Sequence, residues 1–146
     1  MALILEWLAI LGAAVFAGGA LYISIIEHPA RMKAGPTVAL AEFRLSYSRA
    51  APWQASAAAV CLIAGTLASL LTSERAWAAG GLVVGLVIPF TLTVILPTNR
   101  QLLDTKTTLR DDVSMSLLSK WGKLHGLRTI LGTLGLLILV SKALLR

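Results

Sequence analysis

The sequence predicts an all-α protein: a membrane four-helix bundle, up-down-up-down, formed by residues 1–146 as one integral membrane domain. Three observations predict it. Hydrophobic residues make up 57% of the chain and charged ones 14%, and the mean hydropathy of +0.81 lies far from a soluble norm. Four stretches, about residues 3–26, 51–72, 76–97 and 124–140, approach the ~20 apolar residues that a helix needs to cross hydrocarbon. The cations are also lopsided. Arg31, Lys33, Arg44 and Arg49 follow the first stretch, and Arg100, Lys106, Arg110, Lys120, Lys123 and Arg128 follow the third. The positive-inside rule then puts those two connections in the cytoplasm and both termini outside.

The first helix carries a single charge, Glu6, and no Lys or Arg precedes it. Its apolar run exceeds the core of a signal peptide, so it is expected to be retained. Residues 36–50, "PTVALAEFRLSYSRA", are good helix formers. They can lie as a short interfacial helix, with Val38 and Leu45 toward lipid and Arg44 and Arg49 toward head groups. Pro52 and Trp53 fit the start of the second helix and an interface anchor. That helix carries a stripe through Gln54, Ala58, Cys61, Gly65 and Ala68. In the third, Pro89 should introduce a kink and Pro97 a bend or an end. The next loop is polar from Asp104 and becomes helical from about Asp112, a suitable N-cap.

Small residues offer close helix contacts: Gly12 and Gly19, Gly81 and Gly85, Gly132 and Gly135. In a non-catalytic subunit the Gly81/Gly85 face would pack against a partner, and a homo-oligomer is a separate expectation. The single cysteine, Cys61, excludes an internal disulfide and any CxxC redox pair. It reads as a packing residue. The net charge of +6 is accounted for by topology and calls for no nucleic acid. The expected partners are the lipid bilayer and a small hydrophobic molecule.

Chemistry is expected at one end of the bundle, because ionisable groups at membrane depth raise a functional hypothesis. Ser24, Glu27 and His28 share a face at the end of the first helix. Asn99 follows Pro97, and Trp121, His125, Arg128 and Thr129 recur at helical spacing on the fourth helix. A polar stripe on a helix entering lipid should face inward. Glu27 is the one carboxylate closing an apolar run at that end, so a Glu27–Arg128 contact, direct or through water, is expected, with both histidines lining one cavity. Several chemistries fit these residues. They can form a structural ion pair with interface histidines, or two His and a Glu can ligate a metal, without any HxxxH or HExxH. Two imidazoles can hold a haem. A small organic substrate can be met by His as acid or base and Arg as anion clamp. No metal site is assigned, and the cofactor is unknown.

The segments "GGALYISIIEHPAR", "FRLSYSRAAPWQ", "LPTNRQL" and "WGKLHGLRTILG" together resemble the anthrone oxygenase-like family of small membrane proteins, in order and at matching spacing along nearly the whole chain. The resemblance implies four membrane helices. Some fungal members look like oxygenases that convert an anthrone to an anthraquinone without an obvious bound cofactor. Carried over, its motif positions are His28, Asn99, Trp121, His125 and Arg128. The expectation is then a bacterial inner-membrane monooxygenase-like protein acting on a phenol- or quinone-like molecule. His125 or His28 would be the base, Arg128 and Asn99 the oxyanion donors, and Tyr22, Glu27 and Trp121 substrate contacts. The rival expectation is a non-catalytic membrane binding or scaffold protein.

Overall fold

The computed structural model describes residues 1–145 as four long helices. They are α1 (Ala2–Lys33), α2 (Pro36–Thr72), α3 (Arg75–Leu103) and α4 (Asp111–Leu144), each long and apolar enough to cross a membrane. Among the described residues there is no strand. All four outrun the expected bounds. At 1.5 Å per residue the 37-residue α2 is about 55 Å long, against about 30 Å of hydrocarbon. Helical turns therefore extend beyond the apolar zone.

The largest correction concerns residues 36–50. They form no separate interfacial helix; α2 runs unbroken through Pro52. Burial is the reason. Ala39 and Phe43 pack into a cluster with Ile23, Ile95, Leu102, Leu118 and Trp121, which holds the segment upright against the bundle instead of flat on lipid. Pro97 likewise does not end α3, which continues to Leu103. Two wide π-type turns, Ile23–Glu27 in α1 and Thr91–Ile95 in α3, stand just ahead of Pro29 and Pro97. His28 N–H bonds back to the Ile23 carbonyl and Leu96 N–H to that of Thr91. Widening the turn relieves the clash that a proline ring makes with the preceding turn, so the helix survives. Helix α4 starts at Asp111, one residue before the expected cap, with Asp111 and Asp112 both in its first turn.

Two of the connections are two residues long. Ala34 and Gly35 join α1 to α2, with Gly35 at φ 85°, a backbone region that glycine enters without steric cost. Ser73 at φ 61° and Glu74 join α2 to α3. Helices α1 and α3 each pack against both α2 and α4, so the four close into a ring. Its lower half is an Ala- and Gly-rich core around Phe16, Cys61, Trp77, Val84 and Leu139. A Cβ built on Gly65 would stand 2.6 Å from the Trp77 carbonyl oxygen, and one on Gly81 3.1 Å from that of Cys61. The Gly81/Gly85 face is thus spent inside the chain against α2, and the expectation that it packs against a partner is corrected.

Candidate functional site

The second cluster, rich in aromatic residues, carries the polar groups. Helix α4 presents Trp121, His125 and Arg128 on one inward stripe, as their spacing predicts, and all three are buried. His125 is 1% exposed, with its ring stacked on the Trp121 indole at 4.7 Å and 12°. Neither imidazole nitrogen has a hydrogen-bond partner among the described residues. The Ala20 carbonyl lies near enough to interact with the ring but off bonding geometry. Thr129, one turn on, donates to the Ala20 or His125 carbonyl and meets Ser24 Oγ at 2.8 Å.

Arg128 forms no direct hydrogen bond or ion pair with Glu27, although both line the chamber at His125. Its Nη2 donates to Gln54 Oε1 at 2.9 Å, its guanidinium stands 5.5 Å from the Phe16 ring centroid, and its Nε has no partner. No carboxylate among the described residues forms an ion pair with it. Glu27 pairs instead with Arg31, one turn along its own helix. Arg31 is 4% exposed and forms a hub: it donates to Glu27 and Glu42, to Ser46 Oγ at 2.9 Å, and lies 3.4 Å from His28 Nδ1. The physical reason is reach. An i,i+4 pair closes across about 5–6 Å, and Glu42 comes from the upright first turns of α2 to complete the shell around Arg31.

The other predicted residues scatter around this centre. His28 is half-buried and meets the site through Trp121, ring centroids 5.5 Å apart. It does not line the chamber at His125. Asn99 is buried, but its Nδ2 donates to the Tyr47 hydroxyl at 2.6 Å, so it reaches the site through that residue. Tyr22 is 53% exposed and faces an outer crevice.

Tyr47, Gln54, Phe43, Arg31 and Glu42 were not anticipated. Phe43, Tyr47, Ala50 and Gln54 recur at i, i+4, i+7 and i+11, a helical face that was visible only if α2 continued through Pro52. Phe43 and Tyr47 set their rings edge-on to Trp121 at 5.0 and 6.4 Å.

Between Gln54, Tyr47, Trp121, His125 and Arg128, with the paired Glu27 and Arg31 also in its wall, lies a chamber of about 10 Å³, the size of one water or one diatomic gas molecule. Unpartnered polar atoms gather around it: both His125 nitrogens, Arg128 Nε, Trp121 Nε1 and, beyond Tyr47, Asn99 Oδ1. Buried polar atoms without partners number only a few per 100 residues in native proteins, so their concentration here marks a place built to receive something polar. Among the described residues no group of three or more His, Cys, Asp or Glu is placed to hold a metal ion.

A sequence model of the family described as anthrone oxygenase matches residues 43–138, about two thirds of the chain. The match contains Tyr47, Gln54, Asn99, Trp121, His125 and Arg128, whereas Glu27, His28, Arg31 and Glu42 precede it. No curated protein and no solved structure matches the chain.

Proposed function

The chain belongs to the anthrone oxygenase family, and from that premise we propose that it is a small membrane monooxygenase that oxidises a hydrophobic phenolic or quinone-precursor molecule. One observation carries the reading: a buried imidazole with no hydrogen-bonded partner among the described residues stands beside a buried guanidinium that no carboxylate there neutralises. A structural ion pair would have brought its own carboxylate, since an unpaired buried charge is costly. A substrate that turns anionic during reaction supplies the missing charge instead.

The chemistry needs no resident cofactor. His125 takes a proton from an acidic CH₂ flanked by aromatic and carbonyl groups. The negative charge moves to the carbonyl oxygen, where Arg128 Nε and the Tyr47 hydroxyl are the donors at hand; their value is greatest because the site is buried and pre-formed. The carbanion carbon bonds to dioxygen, and the imidazolium returns its proton to the peroxide. Loss of the second C–H proton with cleavage of the O–O bond releases water and leaves a ketone. One dioxygen and one CH₂ thus give one C=O and one water. Trp121 holds the imidazole plane, and Asn99 positions Tyr47. His28 and the Arg31 hub brace the rim.

The charge bias adds an orientation: the His125 end at the cytoplasmic face of a bacterial inner membrane, both termini outside. The experiment is oxygen uptake by purified protein in lipid nanodiscs supplied with anthrone and simpler phenols, alongside absorbance and mass spectra of whatever co-purifies. His125→Ala and Arg128→Gln should each abolish most of the uptake. Absence of both uptake and a retained aromatic ligand would sink the reading and leave a non-catalytic membrane protein.

A further inference from the structure

The chamber at His125 is far too small for an aromatic substrate, so the body of any such ligand must lie elsewhere. A second cavity of about 200 Å³ opens between α2 and α3, walled by Ala51, Ala55, Ile88 and Leu92, with Tyr47 and Arg128 at its floor. Ala55 and Leu92 are exposed on apolar helices of membrane-spanning composition, so the mouth faces acyl chains. Tyr47, Ala51 and Arg128 line both this crevice and the His125 chamber. An apolar slot open to lipid therefore ends on an uncompensated guanidinium and a phenolic hydroxyl.

We propose that this α2/α3 crevice is the binding site and lateral way in for an amphiphilic hydroxyaromatic ligand. Its ring body lies among Ala51, Ala55, Ile88 and Leu92, and its ionisable oxygen reaches Arg128. The ligand class rests on the function proposed above; the place and the route do not. The crevice is smaller than the 300 Å³ at which sites that bury whole drug-sized molecules begin, so part of the ligand stays among acyl chains. A plain lipid tail would fill the slot but leave Arg128 unanswered. The competing opening is a cavity of about 300 Å³ flanked by Tyr22, Ile26, Val38 and the Arg31 hub. Glu27 and Arg31 line both this cavity and the His125 chamber, but there the guanidinium is already met by Glu27 and Glu42, so an anion gains little.

The test uses the whole protein in lipid nanodiscs under nitrogen. The probe is a 4-alkylphenol with a diazirine in its chain, and the control is the matching 4-alkylanisole. After photolysis, peptide mapping should place the phenol's label on residues 47–55 and 87–92. The anisole should label there roughly tenfold less, as should the phenol with Arg128→Gln, the scale of one lost charge-assisted hydrogen bond. Ala55→Trp, which fills the mouth from the lipid side and leaves Arg128 in place, should remove the label. Equal labelling by phenol and anisole would make the slot a lipid groove, and label concentrated on residues 22–42 would move the route to the other cavity; either overturns the proposal. If Arg128→Gln fails to fold, the contrast between phenol and anisole on the unaltered protein decides. Oxygen uptake is not read, so the two proposals fail separately: label in the crevice without turnover removes the reaction, and turnover without label there removes the route.

Discussion

Substituting Gly65 by alanine tests the seam that holds α2 against α3. A Cβ at Gly65 would stand 2.6 Å from the Trp77 carbonyl oxygen and 3.3 Å from Gly81 Cα. Backbone cannot swing aside as a side chain does, so reaching ordinary contact at 3.4 Å moves the helices apart by about 0.8 Å, from 2.6 to 3.4. A gap of that size forfeits a quarter to a half of the attraction of each atom pair along the seam, and overpacking of this kind costs about 1–3 kcal/mol. The alanine also returns about 1 kcal/mol of helix propensity. Gly18→Ala isolates that second effect, because a Cβ there meets nothing within 4 Å. The two variants should therefore differ by about 1–3 kcal/mol, with Gly65→Ala the less stable. At roughly 2–4 °C per kcal/mol for chains of this size, thermal melts in one mild detergent should separate them by several degrees. If Gly65→Ala melts at or above Gly18→Ala, the close seam is not what positions α3 against α2.

Tyr47→Phe removes the acceptor of the buried Asn99 amide and should destabilise by about 1–3 kcal/mol, while Tyr22→Phe, at an exposed ring, should stay within about 0.5; the same melts distinguish them. Asp104 accepts the Lys106 N–H and the Thr107 hydroxyl, each at 2.8 Å, and chiefly the Lys106 bond holds its carboxyl below the usual carboxylate range. A carboxyl depressed in the fold contributes order above its unfolded pKa and loses it as pH falls through the folded value. Protection from hydrogen exchange across residues 104–110, taken relative to the intrinsic rate at each pH, should accordingly fall on acidification below the usual carboxylate range, and Asp104→Asn should make that protection low and independent of pH there. Topology reporters fused after Lys33 and Lys106 should report cytoplasm, and those at Glu74 and the C-terminus export; a cytoplasmic C-terminus would reverse the assigned side of the site.

Much of this protein could be read in one dimension. Four apolar runs impose four membrane-length helices, because unpaired backbone cannot survive in hydrocarbon. The stripe of Trp121, His125 and Arg128 had to face inward, because lipid offers a guanidinium no partner. Both inferences depend only on spacing along one helix. What spacing cannot carry is which groups meet between helices. Glu27 and Arg128 matched in charge and in expected level, yet Glu27 closed on Arg31 within its own helix, and Gln54 reached Arg128 from α2. The decisive event was the upright course of residues 36–50, set by burying Ala39 and Phe43 against three other helices. It brought Glu42 to Arg31 and Tyr47 to Asn99, and left Arg128 beneath a slot open to lipid. The residue types were fixed by the solvent each face must meet; their partners were fixed by packing, which is decided by all four helices at once.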